Sequence, residues 1–175
     1  SSTAAVYKDG IYRVHENSQI KPKSIYGKTK IKAEKLIKEY CKKTKMNYGI
    51  LRYFNIAGAS PSGKIGLLNK SDNLFKNFSY QIVKKKSFLK IYGTNYKTKD
   101  GSCIRDFIHV CDIAEIHLKV LEKINKLNVS KILNCGYNKG ISVLDVAREF
   151  KKQCSKDIVI LKTNRRKKDI VKIIA

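Results

Sequence analysis

Three observations predict an α/β protein: a parallel sheet with its crossover helix, joined to a smaller mixed α/β lobe. Residues 1–7 read as the end of a buried strand, residues 24–44 carry a helical period, and residues 48–54 read as a second strand. Strand, helix and strand in that order make a right-handed crossover between parallel neighbours. Beyond residue 58 short strand and helix patterns alternate less regularly, with no internal repeat and no linker long enough to separate domains cleanly. A ligand is then expected at the carboxyl ends of the parallel strands, near Thr3 and Asn55.

Each element has its own warrant. Residues 8–23 are polar, with Gly10 and Pro22, and read as a surface loop. Ser24 is the expected N-cap of the first helix, whose buried stripe is expected at Ala33, Leu36, Ile37 and Tyr40. Residues 55–62, rich in small side chains, are expected to be a loop. Asn73 to Lys86 has helical spacing, Phe88 to Tyr92 reads as a short strand, and Tyr96 to Ser102 as a turn-rich loop. Arg105 to Val110 is the next strand, after which Asp112 is expected to cap a helix carrying Ile113, Ile116, Leu118, Val120, Leu121 and Ile124. Lys131 to Cys135 is a strand. Ser142-Val143-Leu144-Asp145 resembles a capping box that opens a helix to about Cys154, and Asp157 to Leu161 is the last expected strand.

A net charge of +24 points at first to nucleic acid. Only six of the thirty-eight basic residues are arginine, however, and base or phosphate reading by a fixed fork favours arginine. The lysines are scattered over polar helix faces, at Lys32, Lys35 and Lys38 and again at Lys84 to Lys86, so they read as solvated surface and no nucleic-acid partner is expected. Five cysteines without a Cys-x-x-Cys pair indicate neither a disulfide framework nor a zinc site. They fit small buried side chains in a reducing cytoplasm, and no metal is expected. His109 and His117 read as structural. No apolar run reaches the ~18 residues of a membrane span, so no membrane partner is expected.

The chemistry is carried by Tyr26-Gly27-Lys28-Thr29-Lys30 with Thr3 upstream. Tyrosine and lysine four residues apart on a helix share one face. A free phenol is a poor base at neutral pH, and a neighbouring ammonium favours the phenolate. Thr3 can share a hydrogen bond with the same reacting oxygen. This set resembles the short-chain dehydrogenase/reductase superfamily. Leu51-Arg52-Tyr53-Phe54-Asn55 resembles a strand end of its extended branch. Asp100-Gly101-Ser102-Cys103-Ile104-Arg105-Asp106-Phe107-Ile108-His109-Val110, Asp112-Ile113-Ala114 and Arg165-Arg166 with Asp169 are similar to the UDP-glucose 4-epimerase family.

The resemblance implies the C-terminal part of a Rossmann-type parallel sheet plus a substrate-binding lobe, with residues 1–57 in the NAD-binding domain and 58–175 mostly in the lobe, interleaved with late Rossmann elements. It implies NAD as cofactor, a UDP-hexose as substrate, C4 epimerisation through a 4-keto sugar, galactose metabolism, a cytoplasmic location and a homodimer. Tyr26, Lys30 and Thr3 are the implied catalytic residues, and with Tyr53 and Phe54 they would also meet the cofactor. Thr3, Asn55, Asn73, Leu74, Lys90, Ile91, Tyr92, Arg105, Arg166, Asp169 and Ile173 are the implied substrate contacts: Asn73 and Leu74 at the diphosphate, Lys90 to Tyr92 at the uracil, Arg105 and Arg166 on phosphate oxygens, Asp169 on a ribose and Ile173 beside the hexose.

No Gly-rich turn of a dinucleotide-binding fold occurs in these residues, and the stretch reads as about half of such an enzyme, with the pyrophosphate-binding part expected upstream. Related sugar-nucleotide dehydratases and decarboxylases need an acid beside the hydroxyl residue, where this chain has Ala4 and Ala5. That favours simple epimerisation over elimination. The alternatives are another UDP-sugar epimerase, or a non-catalytic remnant that binds a nucleotide. Thr3 stands where serine is common, Lys168 where glycine usually precedes Asp169, and Ile173 where an aromatic or small residue is often seen.

Overall fold

The computed structural model describes residues 1–68, 73–84, 88–154, 157–166 and 169–175. Lys85, Lys86 and Lys168, singled out above, lie outside the described residues. Strand β1 (Ser2–Thr3), helix α1 (Ile25–Thr44) and strand β2 (Gly49–Tyr53) form the expected crossover, and β6 (Lys131–Cys135) completes a parallel sheet in the order β1-β2-β6. The expected strand over 1–7 is shorter than its apolar run, because a 3₁₀ turn at Ala4–Val6 follows Thr3 at once.

Ser24 caps α1 as expected, its side chain accepting from the Gly27 N–H at 3.0 Å. A Cβ at Gly27 would stand 2.4 Å from the Ala5 carbonyl oxygen, so glycine is what lets the first turn of α1 press against the turn after Thr3. The expected stripe is wrong. Leu36, Ile37 and Tyr40 are exposed, and the buried face runs through Gly27, Glu34 and Cys41. A periodicity reading assigns apolar residues to the inner face, whereas here a carboxylate is buried because a guanidinium meets it.

Phe54 is the switch between two sheets. Its N–H donates to the Cys135 carbonyl of the first sheet, and the next residues enter strand β3 (Asn55–Ala57), a strand where a loop was expected. Strand β3 pairs in parallel with β5 (Ile104–His109), setting Asn55 opposite Phe107. Strand β5 also pairs antiparallel with β7 (Gly140–Ser142) and parallel with β9 (Lys172–Ile173), two short strands that carry no sequence period. Pairing makes strands of segments too short to be read alone. Strands β4 (Phe88–Tyr92) and β8 (Val159–Thr163) form a separate parallel pair, so β8 begins two residues later than expected and is not the last strand.

Helix α2 (Leu74–Val83) is capped by Asn73, and α4 (Val143–Gln153) by Ser142. Helix α3 (Val110–Leu127) is capped by His109 and not by Asp112. The His109 imidazole accepts from the Cys111 N–H at 3.2 Å, while Asp112 lies in the first turn and accepts from the Tyr137 hydroxyl. Around α2 and α4 an aromatic core forms. Phe75 meets Phe107 and Phe150 edge to face at 5.2 and 5.6 Å, and Phe78 meets Phe150 at 5.4 Å. A second cluster gathers Ala4, Val6, Tyr7, Val14, Phe54 and Ile173 under the switch point. All five cysteines are free, and Cys41, Cys103 and Cys135 are buried. Among the described residues no helix is long and apolar enough to cross a membrane, and no group of His, Cys, Asp or Glu could hold a metal ion.

Candidate active site

The carboxyl ends of β1 and β2 open onto a cleft of about 660 Å³. One wall holds Thr3, Tyr26, Tyr53, Phe54 and Asn55, the other Asn73 and Leu74 from the start of α2 and Lys90, Ile91 and Tyr92 from β4. Arg105, Arg166 and Asp169 close it. Thirteen residues marked in the sequence thus converge from segments scattered over the chain. Lys30 and Ile173 do not line this cleft. Ile173 is 7% exposed in the core under Phe54 and borders a neighbouring hollow of about 270 Å³ that shares Thr3, Phe54, Asn55 and Arg105.

Thr3 Oγ1 accepts from the Ala5 N–H at 3.2 Å, which leaves its own proton to donate. Tyr26 is 56% exposed at the first turn of α1, and Lys30 Nζ sits 5.8 Å from its ring centroid while donating to the Ser1 carbonyl at 3.1 Å. Two of the three ammonium protons remain for a ligand. The Tyr53 hydroxyl is engaged by Ser1 Oγ at 2.8 Å and His117 Nε2 at 2.7 Å. Burial pushes the Tyr53 phenol and the Cys103 thiol up from their ordinary values, away from proton transfer at neutral pH. Tyr96, which does not line the cleft, is pushed up to about 12, chiefly by burial. Tyr26 is therefore the exposed phenol at the mouth of the parallel strands.

On the opposite wall Asn73 works twice: its Nδ2 donates to the Ile56 carbonyl at 2.9 Å, tying α2 to β3, and its Oδ1 accepts from the Lys76 N–H at 3.1 Å. Arg105 is held by the Ile104 carbonyl at 3.0 Å and by an ion pair with Asp169 at 3.6 Å. Its chain neighbour Asp106, wholly buried, accepts instead from the N–H groups of Tyr137 and Ala175 at 2.9 and 3.1 Å. Arg166 lies with its guanidinium 4.2 Å from the Tyr92 ring centroid, and Arg165 lies 4.1 Å from that of Tyr96. Gly93, at φ +75°, leaves room for the Tyr96 ring, which a Cβ would meet at 2.3 Å.

Nine cleft residues lie outside the predicted contacts, five of them apolar and four, Ser2, Asn77, Gln81 and Cys103, able to hydrogen-bond. Asn73, Asn77 and Gln81 recur every four residues, so a polar stripe on α2 was a readable signal. Glu34 and Arg52 sit behind the cleft wall and left no such signal beyond their spacing.

A protein-family model described as the NAD dependent epimerase/dehydratase family matches residues 1–136. The chain is 34% identical over 177 residues to a UDP-glucose 4-epimerase of Azospirillum brasilense, covering all of this chain and 51% of that protein. Among solved structures, the UDP-glucose 4-epimerase of Bifidobacterium longum in complex with NAD+ and UDP superposes with a TM-score of 0.88 at 30% identity, over 100% of this chain and 53% of that one. The UDP-Glc/GlcNAc 4-epimerase of Campylobacter jejuni does so at 0.74 and 36% identity, over 99% and 53%. The chain thus spans about half the length of the relatives it matches.

Proposed function

The chain belongs to the NAD dependent epimerase/dehydratase family, and from that premise we propose that the whole protein epimerises a UDP-hexose at C4 with NAD. The observation that carries this reading is the single cleft in which the Tyr26 phenol and Thr3 hydroxyl face Arg105 and Arg166. In this reading residues 1–57, together with α3 and β6, form the cofactor side, and most of the rest grips the nucleotide.

The residues present fit the nicotinamide end of the cofactor: the Tyr26 phenol and the apolar Phe54 ring share the cleft, and the Lys30 ammonium, with two uncommitted protons, lies 5.8 Å from the Tyr26 ring. When bound, NAD supplies the acceptor and then the donor of the C4 hydride. Tyr26 takes the C4 hydroxyl proton and later returns it. Thr3, its oxygen lone pair held by Ala5, directs its proton at the same oxygen. Lys30 holds a ribose hydroxyl with its remaining ammonium protons. Inverting C4 requires the 4-keto sugar to turn over while the nucleotide stays fixed. Arg105 and Arg166 supply that anchor with planar forks suited to phosphate. Tyr92 supplies a flat face for the base, and Asp169 an acceptor for ribose hydroxyls. Ala4 and Ala5 offer no second acid for elimination, which favours epimerisation over dehydration.

Galactose metabolism, a cytoplasmic location and a homodimer complete the proposal and rest on likeness to the relatives. Purified whole protein incubated with UDP-galactose and assayed for UDP-glucose tests it. Conversion dependent on Tyr26 is expected. UDP binding without conversion of any UDP-hexose would leave only the nucleotide-binding remnant.

A further inference from the structure

The face of α1 that carries Tyr26 and Lys30 continues at the same four-residue spacing to Glu34, which is only 3% exposed on an otherwise lysine-rich helix. Its carboxylate receives Ser2 Oγ at 2.5 Å and Arg52 Nε at 3.0 Å on one oxygen, and Arg52 Nη2 at 2.8 Å on the other. Arg52 is equally buried, and its Nη1 donates to the Tyr7 hydroxyl and the Glu16 carbonyl, both at 3.0 Å. The Tyr7 hydroxyl in turn donates to Asn134 Oδ1 on β6 at 2.6 Å. Burial alone would raise the Glu34 carboxyl, but the bonds from Arg52 and Ser2 and the guanidinium charge hold it below the ordinary carboxylate range. The pair is charged on both sides.

The partners' places in the chain give the pair its meaning. Ser2 immediately precedes Thr3, Arg52 immediately precedes Tyr53-Phe54-Asn55, and the two stand opposite each other in the β1–β2 register. One carboxylate therefore ties the helix bearing Tyr26 and Lys30 to both strands whose ends supply Thr3 and Tyr53. An apolar contact there tolerates sliding or rotation of the helix, whereas a bidentate fork admits one register. We propose that Glu34 and Arg52 are positioning residues, setting α1 on the sheet so that the Tyr26 phenol meets the substrate oxygen beside Thr3. The proposal rests on Tyr26 being the acid/base of the reading above.

The test compares whole wild-type protein with Glu34→Gln, Arg52→Lys and the apolar pair Glu34→Leu/Arg52→Met. Replacing a buried ion pair by apolar side chains commonly recovers stability. The apolar pair is expected to regain the wild-type thermal midpoint while kcat on UDP-galactose stays down by about tenfold or more and KM moves less than about threefold, the split expected for an interaction that acts on the chemical step. Amide exchange over residues 25–30 is expected to quicken about tenfold in the same ligand-free protein. A kcat that returned with stability, or unchanged exchange at the start of α1, would overturn the proposal. Arg52→Lys keeps the charge and loses the fork, so it decides by the same two readouts if the apolar pair fails to fold. A wild type inactive on every UDP-hexose would sink the functional reading, and the exchange comparison would still decide the positioning.

Discussion

The two walls of the cleft are anchored by opposite means. Behind Thr3 and Tyr26, the joint between α1 and the sheet is a buried Arg52–Glu34 fork extended through Ser2, Tyr7 and Asn134. Behind Leu74 and Tyr92, the joint between α2, β4 and α4 is packed phenyl rings and aliphatic side chains around Phe78, Leu89 and Ile91. Charge desolvation makes the first joint a weak source of net stability, and directional bonds make it a strong source of geometric uniqueness. Apolar burial makes the second joint stable and tolerant of small repacking. The division suits the proposed chemistry, in which proton transfer needs one geometry while a turning hexose needs a firm but forgiving grip.

The largest effect that would sharpen this contrast is on stability. Phe78→Ala removes a ring that is 1% exposed and should cost about 3–5 kcal/mol, read as a lowered denaturant midpoint in whole protein. A loss below about 1 kcal/mol would show that the ring cluster does not anchor that wall. Tyr26→Phe should act in the opposite manner. Turnover falls by about a hundredfold or more, close to 2.7 kcal/mol, with UDP affinity and thermal midpoint little changed. Wild-type interconversion of sugars by this variant would remove the catalytic assignment.

Smaller again is the grip. Arg166→Ala should weaken UDP binding by about tenfold, measured by calorimetry, and Arg166→Lys should recover only part, since a point charge replaces a fork. Equal affinity in both variants would place the phosphates elsewhere. Acidification tests the charged joint next. A carboxyl held below its unfolded value contributes stability above that value and loses it as pH falls through the folded one. Stability should therefore fall as pH drops below the ordinary carboxylate range, through Glu34 behind the first wall and through Asp100 at the start of α4, whose carboxylate burial would raise but bonds from Ser142 and Ser102 hold down. Glu34→Gln should be less stable than wild type at neutral pH and flatter in the acid limb, as read from urea midpoints along a pH series. A parallel acid limb would show that the carboxylate contributes nothing there.

The smallest expected effect concerns Ile173. It packs beneath Phe54, bordering the smaller hollow, so it reaches the sugar only through its neighbours. Ile173→Tyr should shift the ratio of kcat/KM for UDP-N-acetylglucosamine over UDP-glucose by about threefold to tenfold, within the range of a small volume change in an apolar pocket. An unchanged ratio would make Ile173 a core residue with no part in selectivity.

Local chemistry made much of the molecule legible without coordinates. Ser24 and Ser142 announce their helices because a hydroxyl before an amphipathic run satisfies an N–H that the helix itself cannot. The strands at 49–53, 88–92 and 131–135 are bounded by their own composition, and of the motif residues that line the cleft Arg105 and Arg166 stand out because arginine is scarce in this lysine-rich chain, while Thr3, Tyr26 and Asn55 are marked by their spacing and motif context. Pairing between distant segments decided the rest. Strands β3, β7 and β9 are two or three residues long and exist only because β5 and its neighbours supply their hydrogen bonds. The buried face of α1 was misread because periodicity counts apolar residues, and Glu34 is admitted to the interior only by Arg52, eighteen residues away in sequence and 2.8 Å away in space. A buried charge is invisible to any rule that reads one side chain at a time, since its cost is set by a partner that only the tertiary fold brings within reach.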